Sequence, residues 1–133
     1  MTLTLDTSGI VAVANAADPQ HEAARTAFEE DRGPHVVPAG ILAEAAYVLE
    51  ARVGPESLTA LLSDLDARRL LLDCGEDDLG LIRDLVARYA DLPLGFSDAA
   101  VIACAERRDS TILTLDRRDF DVVAGELPLR IAP

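Results

Sequence analysis

At 133 residues, half of them hydrophobic and 27% charged, the chain is long enough to bury one core and too apolar for disorder. Its formal net charge of −12, with basic residues that are all arginine, argues against broad nonspecific nucleic-acid binding. It does not exclude a nucleic-acid enzyme, because acids that hold metal cations invert the local sign of charge.

In chain order, strand and helix signals alternate. "TLTLD" (2–6) is a β-prone run, and "TSGIVAVAN" (7–15) follows as a short helix. Residues 18–31 predict a second helix, with Asp18 as cap and Pro19 at its first position. "HVVP" (35–38) is a short strand. Residues 39–54 form a helix closed by Gly54, and 55–67 another, opened by Pro55. "RLLLDC" (69–74) is a strand, 76–90 a helix broken by "LPLG", and 97–108 a helix capped by Ser97. The strands "STILTLD" (110–116) and "LRIA" (129–132) complete the set. Helices interleaved with short apolar strands predict an α/β domain with a mainly parallel sheet, one domain over residues 1–133. No apolar run approaches the ~18 residues of a membrane span, and no basic-then-apolar leader opens the chain, so a cytoplasmic protein is expected.

The tetrapeptide "LTLD" occurs twice, at 3–6 and 113–116. If those strands lie parallel and adjacent, Asp6 and Asp116 emerge on one rim, at the carboxyl ends of the strands, where α/β proteins place their sites. Each has a plainer role open to it: Asp6 or Thr7 as a helix cap, Asp116 as a turn residue. Asp98 stands in the first turn of its helix, where an acid suits the dipole. Yet it shares a face with Val101, Ile102 and Ala105, the face that turns to the core. Glu44 lies about 60° from Ile41 on the helical wheel, beside the stripe of Ile41, Ala45 and Val48, whereas Glu50 lies opposite.

Carboxylates gathered on one rim repel one another, and a divalent cation relieves them. Oxygen-only ligands favour Mg²⁺ or Mn²⁺, and there is no Cys and His set for zinc. His21 and His35 stand alone and read as structural. Cys74 and Cys104 sit in apolar stretches, and a single pair makes no disulfide framework, so they read as inert core thiols.

These residues together resemble the PIN-domain ribonucleases, in particular the VapC-type toxins of toxin–antitoxin pairs. The resemblance rests on "LTLDTSG", "LAEAAYVL", "FSDAAVIACA" and "ILTLDRRDF", in this order over essentially the whole chain. It implies a three-layer α/β/α sandwich around a parallel sheet of about five strands. It assigns the acidic quartet to Asp6, Glu44, Asp98 and Asp116, with Thr7, Ser8 and Thr114 as hydroxyls near the site; Asp119 is an alternative to Asp116, but "LTLD" puts Asp116 right at the strand end. It implies Mg²⁺-dependent hydrolysis of RNA, with Asp6 and Asp98 on the first metal, Asp116 sharing it or recruiting a second, and Glu44 orienting the attacking water or binding through water. Arg117 and Arg118, next to Asp116, would touch the RNA backbone. A cognate antitoxin and a homodimer are the implied partners, and the leucine-rich helices at 39–67 could serve either.

Other acid-rimmed α/β folds fit less well. Receiver domains need a lysine near the site, haloacid-dehalogenase-like phosphatases want Asp-x-Asp and usually a lysine, and no glycine-rich phosphate loop is present. A PIN-like RNA- or protein-binding module without catalysis is the alternative of a different class. Metal-dependent RNA cleavage, lost on changing Asp6, separates it from an enzyme.

Overall fold

The computed structural model describes residues 2–133. Its elements are β1 (Leu3–Leu5), α1 (Thr7–Ala14), α2 (His21–Glu30), β2 (His35–Pro38), α3 (Leu42–Arg52), α4 (Pro55–Asp66), β3 (Leu71–Asp73), α5 (Leu79–Arg88), α6 (Phe96–Arg108), β4 (Thr111–Leu113), α7 (Arg117–Ala124) and β5 (Arg130–Ala132). Single 3₁₀ turns, Ala39–Ile41 and Glu76–Asp78, lead into α3 and α5.

All five strands run parallel in the order β3-β2-β1-β4-β5. The chain travels outward from β1 through β2 to β3, then returns to the other side of β1 for β4 and β5. Right-handed crossovers therefore put the helices before β3 on one face of the sheet and those after it on the other, which makes the expected three-layer sandwich. The reversal between β1 and β4 is a switch point, and it opens a crevice at the carboxyl ends of those two strands.

The two "LTLD" copies do not align residue for residue. Leu5 pairs with Leu113. Asp6 thus lies level with Thr114, and Asp116 comes two residues further out.

Burial explains the helices. α6 is enclosed: Ala99 through Cys104 are each at most 1% exposed. Its small residues let it approach β1, β2 and β4 closely. Gly9 has a similar reason, since a Cβ there would stand 2.4 Å from the Leu113 carbonyl oxygen. Any side chain at this position would drive α1 away from β4.

Three expectations need correction. First, residues 117–124 form α7, which the strand and turn signals did not foresee. Phe120 and Val123, both fully buried, hold it by an i, i+3 pair. Second, Ser97 does not cap α6. Gly95 occupies the cap position, and the Ser97 hydroxyl serves Glu44 instead. Likewise α2 starts at His21, because Asp18 Oδ1 accepts from the Gln20 amide and closes a turn before the helix. Third, Cys74 and Cys104 are not separate thiols. They form a disulfide between the end of β3 and the middle of α6, with Cα atoms 5.3 Å apart. Cysteine spacing alone carries no information on such pairing.

The histidines are structural, as expected. His21 Nδ1 hydrogen-bonds the Ala12 carbonyl at 2.8 Å, while His35 Nε2 bonds the Asp31 carbonyl and its ring stacks on Phe28. Among the described residues, no helix is long and apolar enough to cross a membrane.

Candidate active site

The acid at the end of β1 is buried. Asp6 is 5% exposed and occupies the cap position of α1 without capping it through its side chain. Its Oδ2 instead accepts from Thr114 Oγ1 at 2.8 Å and Ser8 Oγ at 3.1 Å. Among the described residues, no side chain donates to Oδ1. Thr114 in turn accepts from the Asp116 amide, and Ser8 from the Leu115 amide. These bonds fix the β4–α7 turn against the end of β1. Burial raises the Asp6 carboxyl above its ordinary range, the three hydrogen bonds from Thr114, Ser8 and the Thr7 amide pull it back, and Glu44 pushes it up again.

Glu44 is exposed in the first turn of α3. Both of its oxygens are taken: Thr7 Oγ1 donates to Oε1 at 2.6 Å and Ser97 Oγ to Oε2 at 2.9 Å. The starts of α1, α3 and α6 are thereby tied together through one carboxylate.

Asp98, half-buried in the first turn of α6, is the most strained acid electrostatically. Burial, then the charges of Asp6, Asp119, Asp116 and Glu44, push its carboxyl up to about 6. Asp116 stands exposed at the head of α7.

Asp6, Glu44, Asp98 and Asp116 line one cleft of about 430 Å³, together with Asp18 and Arg52. A larger hollow of about 880 Å³ lies elsewhere, at the amino ends of β1 and β4 beside Leu3 and Thr111. It is shallow and lined by no buried carboxylate among the described residues, so the smaller cleft is the candidate site.

Two residues were ranked too low by sequence reasoning. One is Ser97, whose hydroxyl could have been paired with Glu44 only by knowing that α3 and α6 begin side by side. The other is Asp119, considered only as a stand-in for Asp116. Its charge weighs on Asp98 more than that of Asp116, and its Oδ1 is a buried oxygen that takes no hydrogen bond among the described residues, with Arg118 Nε 3.7 Å away. The unforeseen α7 is the reason. An i, i+3 step around the first helical turn brings Asp119 back towards the acids. Arg117 and Arg118, by contrast, do not line the cleft. Arg117 pairs with Asp121 and donates to the Pro133 carbonyl; Arg118 is 86% exposed and 3.7 Å from Asp119.

The donor chemistry suits a hard divalent cation. The cleft offers several carboxylates, one of them crowded by like charge, and Asp119 beside it has a buried oxygen that takes no hydrogen bond among the described residues. Neither cysteine is free, and both histidines are engaged by carbonyls. Among the described residues, no three side chains of His, Cys, Asp or Glu form a ready-made cage, so ligation requires the carboxylates to rotate inward.

Comparison with known proteins agrees with this architecture. Residues 3–126 match the PIN domain family. Ribonuclease VapC26 of Mycobacterium tuberculosis is 34% identical over an alignment of 123 residues that covers 91% of this chain and 91% of that protein. The crystal structure of M. tuberculosis VapC20, described as a sarcin-ricin loop cleaving toxin, superposes with a TM-score of 0.81 at 21% identity, covering 97% of this chain and 99% of that one. VapBC2 from Rickettsia felis, bound to a DNA fragment from its promoter, gives 0.68 at 18% identity over 98% and 97% of the two chains.

Proposed function

We propose a metal-dependent ribonuclease, the toxin of a toxin–antitoxin pair, for this chain, which belongs to the PIN-domain family. The observation that carries the reading is the convergence of Asp6, Glu44, Asp98 and Asp116 on one cleft at the β1/β4 switch point. The ribonuclease relative supports the choice of RNA as substrate. No observation favours a module without catalysis, since each acid of the expected quartet is present in the cleft.

In this reading Asp6, Asp98 and Asp116, with Asp119 beside them, hold Mg²⁺ or Mn²⁺. When bound, the cation supplies Lewis acidity that offsets charge on the phosphodiester and eases ionisation of the attacking water. The Thr114 and Ser8 hydroxyls hold Asp6 by one oxygen and leave the other for ligation. Glu44, braced from both sides by Thr7 and Ser97, orients the water. Arg117 and Arg118, beside the cleft rather than in it, reach the RNA backbone at the α7 end only by leaving Asp121 and Asp119.

A nuclease of this kind calls for a cognate antitoxin. An apolar groove of about 420 Å³, lined by Ile10, Val13, Phe28 and Leu61 among others, suits a helix or strand of such a partner. A homodimer through the α3–α4 side is the accompanying reading, with Tyr47 73% and Leu62 49% exposed there. One domain spans the whole chain in this account, and the setting is the cytoplasm.

The test compares RNA cleavage by the parent and by Asp6→Asn, in Mg²⁺ and in EDTA. Cleavage that requires the cation and disappears in the variant is expected. Equal rates in the two proteins would sink the metal-site reading.

A further inference from the structure

The cleft has a charge problem that the acids do not solve. A bound cation neutralises part of their charge, but an RNA strand brings a phosphate with every nucleotide, and those flanking the scissile one need counterparts of their own. The arginines are the only side chains able to supply a permanent positive charge, and most are already committed. Of the twelve basic residues, only Arg32, Arg52 and Arg68 stand outside any ion pair among the described residues. Arg32 lines the hollow at the amino ends of the strands, and Arg68 sits in a left-handed turn after α4, away from the acids. Arg52 lines the acid cleft itself, and no other arginine does.

Its position on α3 sets its reach. Glu44, Val48 and Arg52 all line the cleft and fall at i, i+4 and i+8 on that helix. They therefore form one slowly drifting stripe, with Arg52 about 12 Å along the axis from Glu44. That separation is too long for contact with the group that Glu44 serves. It suits the next part of an extended strand leaving the cleft. The exposed Gln20 shares the lining and adds a neutral donor there. A cation in the last turn of a helix also suits the dipole, and that alone would account for Arg52 on an isolated helix. It does not account for the lack of any carboxylate partner in a chain with twice as many acids as bases, 24 against 12.

We infer that Arg52 is a substrate-binding residue that seats a backbone phosphate of single-stranded RNA flanking the one cleaved. This rests on the ribonuclease reading and adds to it the direction of the strand, from the acids along α3. A guanidinium takes a phosphate through two parallel donors, so lysine should replace it only in part.

Steady-state cleavage with Mg²⁺ would be compared for the parent, Arg52→Gln and Arg52→Lys. The substrates are one RNA of about ten nucleotides and a dinucleotide, which lacks flanking phosphates. For the longer RNA, Arg52→Gln should raise KM roughly tenfold, the weight of one hydrogen-bonded contact to a charged group, with kcat unchanged. It should flatten the dependence of log affinity on log salt by about 0.7. Arg52→Lys should fall between the two. For the dinucleotide all three proteins should behave alike. Unchanged KM and salt slope on the longer RNA, or an equal loss on both substrates, overturns the inference. If the parent cleaves no RNA, the ribonuclease reading falls by itself, and binding of the longer RNA, followed by fluorescence anisotropy over the same salt series, judges Arg52. An unchanged slope there overturns it too, and leaves an acidic protein segment as the ligand for this arginine.

Discussion

Thr114 Oγ1 donates to Asp6 Oδ2 at 2.8 Å, joining residues 108 positions apart across the two central strands. The bond exists because the repeated tetrapeptides are paired out of step, which sets the threonine of one level with the aspartate of the other. Thr114 is fully buried, so neither partner has water to fall back on. Thr114→Val keeps the shape and leaves that oxygen with Ser8 alone. It should destabilise the protein by about 1–3 kcal/mol, the usual result of orphaning a buried polar group. Urea denaturation of the parent, Thr114→Val and Thr114→Ser measures it, with the serine variant close to the parent. Equal midpoints for valine and parent would show that Asp6 does not depend on this donor.

Asp98 gives a pH dependence. Its carboxyl is pushed up to about 6 in the folded protein, above an ordinary value of 3.8. Between those values the folded state binds the proton more tightly than the unfolded state does. Stability of the cation-free protein should therefore fall as pH rises from about 4 to 6. The full shift overstates the effect for a half-exposed group, so on the order of 1–2 kcal/mol is expected. Asp98→Asn removes the charge at nearly constant shape. In EDTA at pH 7 it should melt higher than the parent, and its melting should change less between pH 4 and 6. Asp6 is raised as well, so some dependence remains. A variant that melts lower at pH 7 would make Asp98 a helix-terminal acid whose interaction with the dipole outweighs the repulsion.

The proposed metal site can take its outer carboxylate from Asp116 or from Asp119. Asp119 has the orphaned, buried oxygen; Asp116 is exposed. Mg²⁺ that binds only the folded state raises the melting temperature in proportion to site occupancy. Asp119→Asn should reduce that shift at least as much as Asp116→Asn. A shift abolished by Asp116→Asn and untouched by Asp119→Asn would put the cation at the outer edge of the cleft.

The disulfide is open to a direct test. Cys74 and Cys104 close a loop with a sequence separation of 30, for which the chain-entropy account gives about 3–4 kcal/mol. Reduction by dithiothreitol should lower the denaturation midpoint accordingly, and Cys74→Ser/Cys104→Ser should match the reduced parent. Two thiols that alkylate in the unfolded, unreduced protein would show that the bond does not form in solution.

Much of the candidate cleft was readable along the chain. Asp6 and Asp116 were legible because a parallel sheet delivers strand ends to one rim, and the strands were marked by apolar β-prone runs. Asp98 was legible because helical periodicity put a charge on the core face of α6, and Glu44 because it borders the apolar stripe of its helix. Local pattern suffices where a residue's surroundings are its neighbours in sequence.

α7 escaped because only two buried residues, Phe120 and Val123, hold so short a helix, and a two-residue signal is no stronger than chance. Missing it hid Asp119, whose place depends on one helical turn. Ser97 read as a cap, which is a local role; its partner Glu44 lies 53 residues away. The same holds for Cys74 with Cys104 and for Arg52. Alternation, periodicity and charge order along the chain determined the fold class and the acids. Packing of the Ala39–Ile41 turn, which leads into α3, against the start of α6, the two-residue stagger of β4 on β1, and the use of nearly every other arginine in an ion pair decided which hydroxyls serve which carboxylate and which cation faces the cleft. Those are contacts between segments far apart in sequence, and their energies depend on distances that only the closed fold defines.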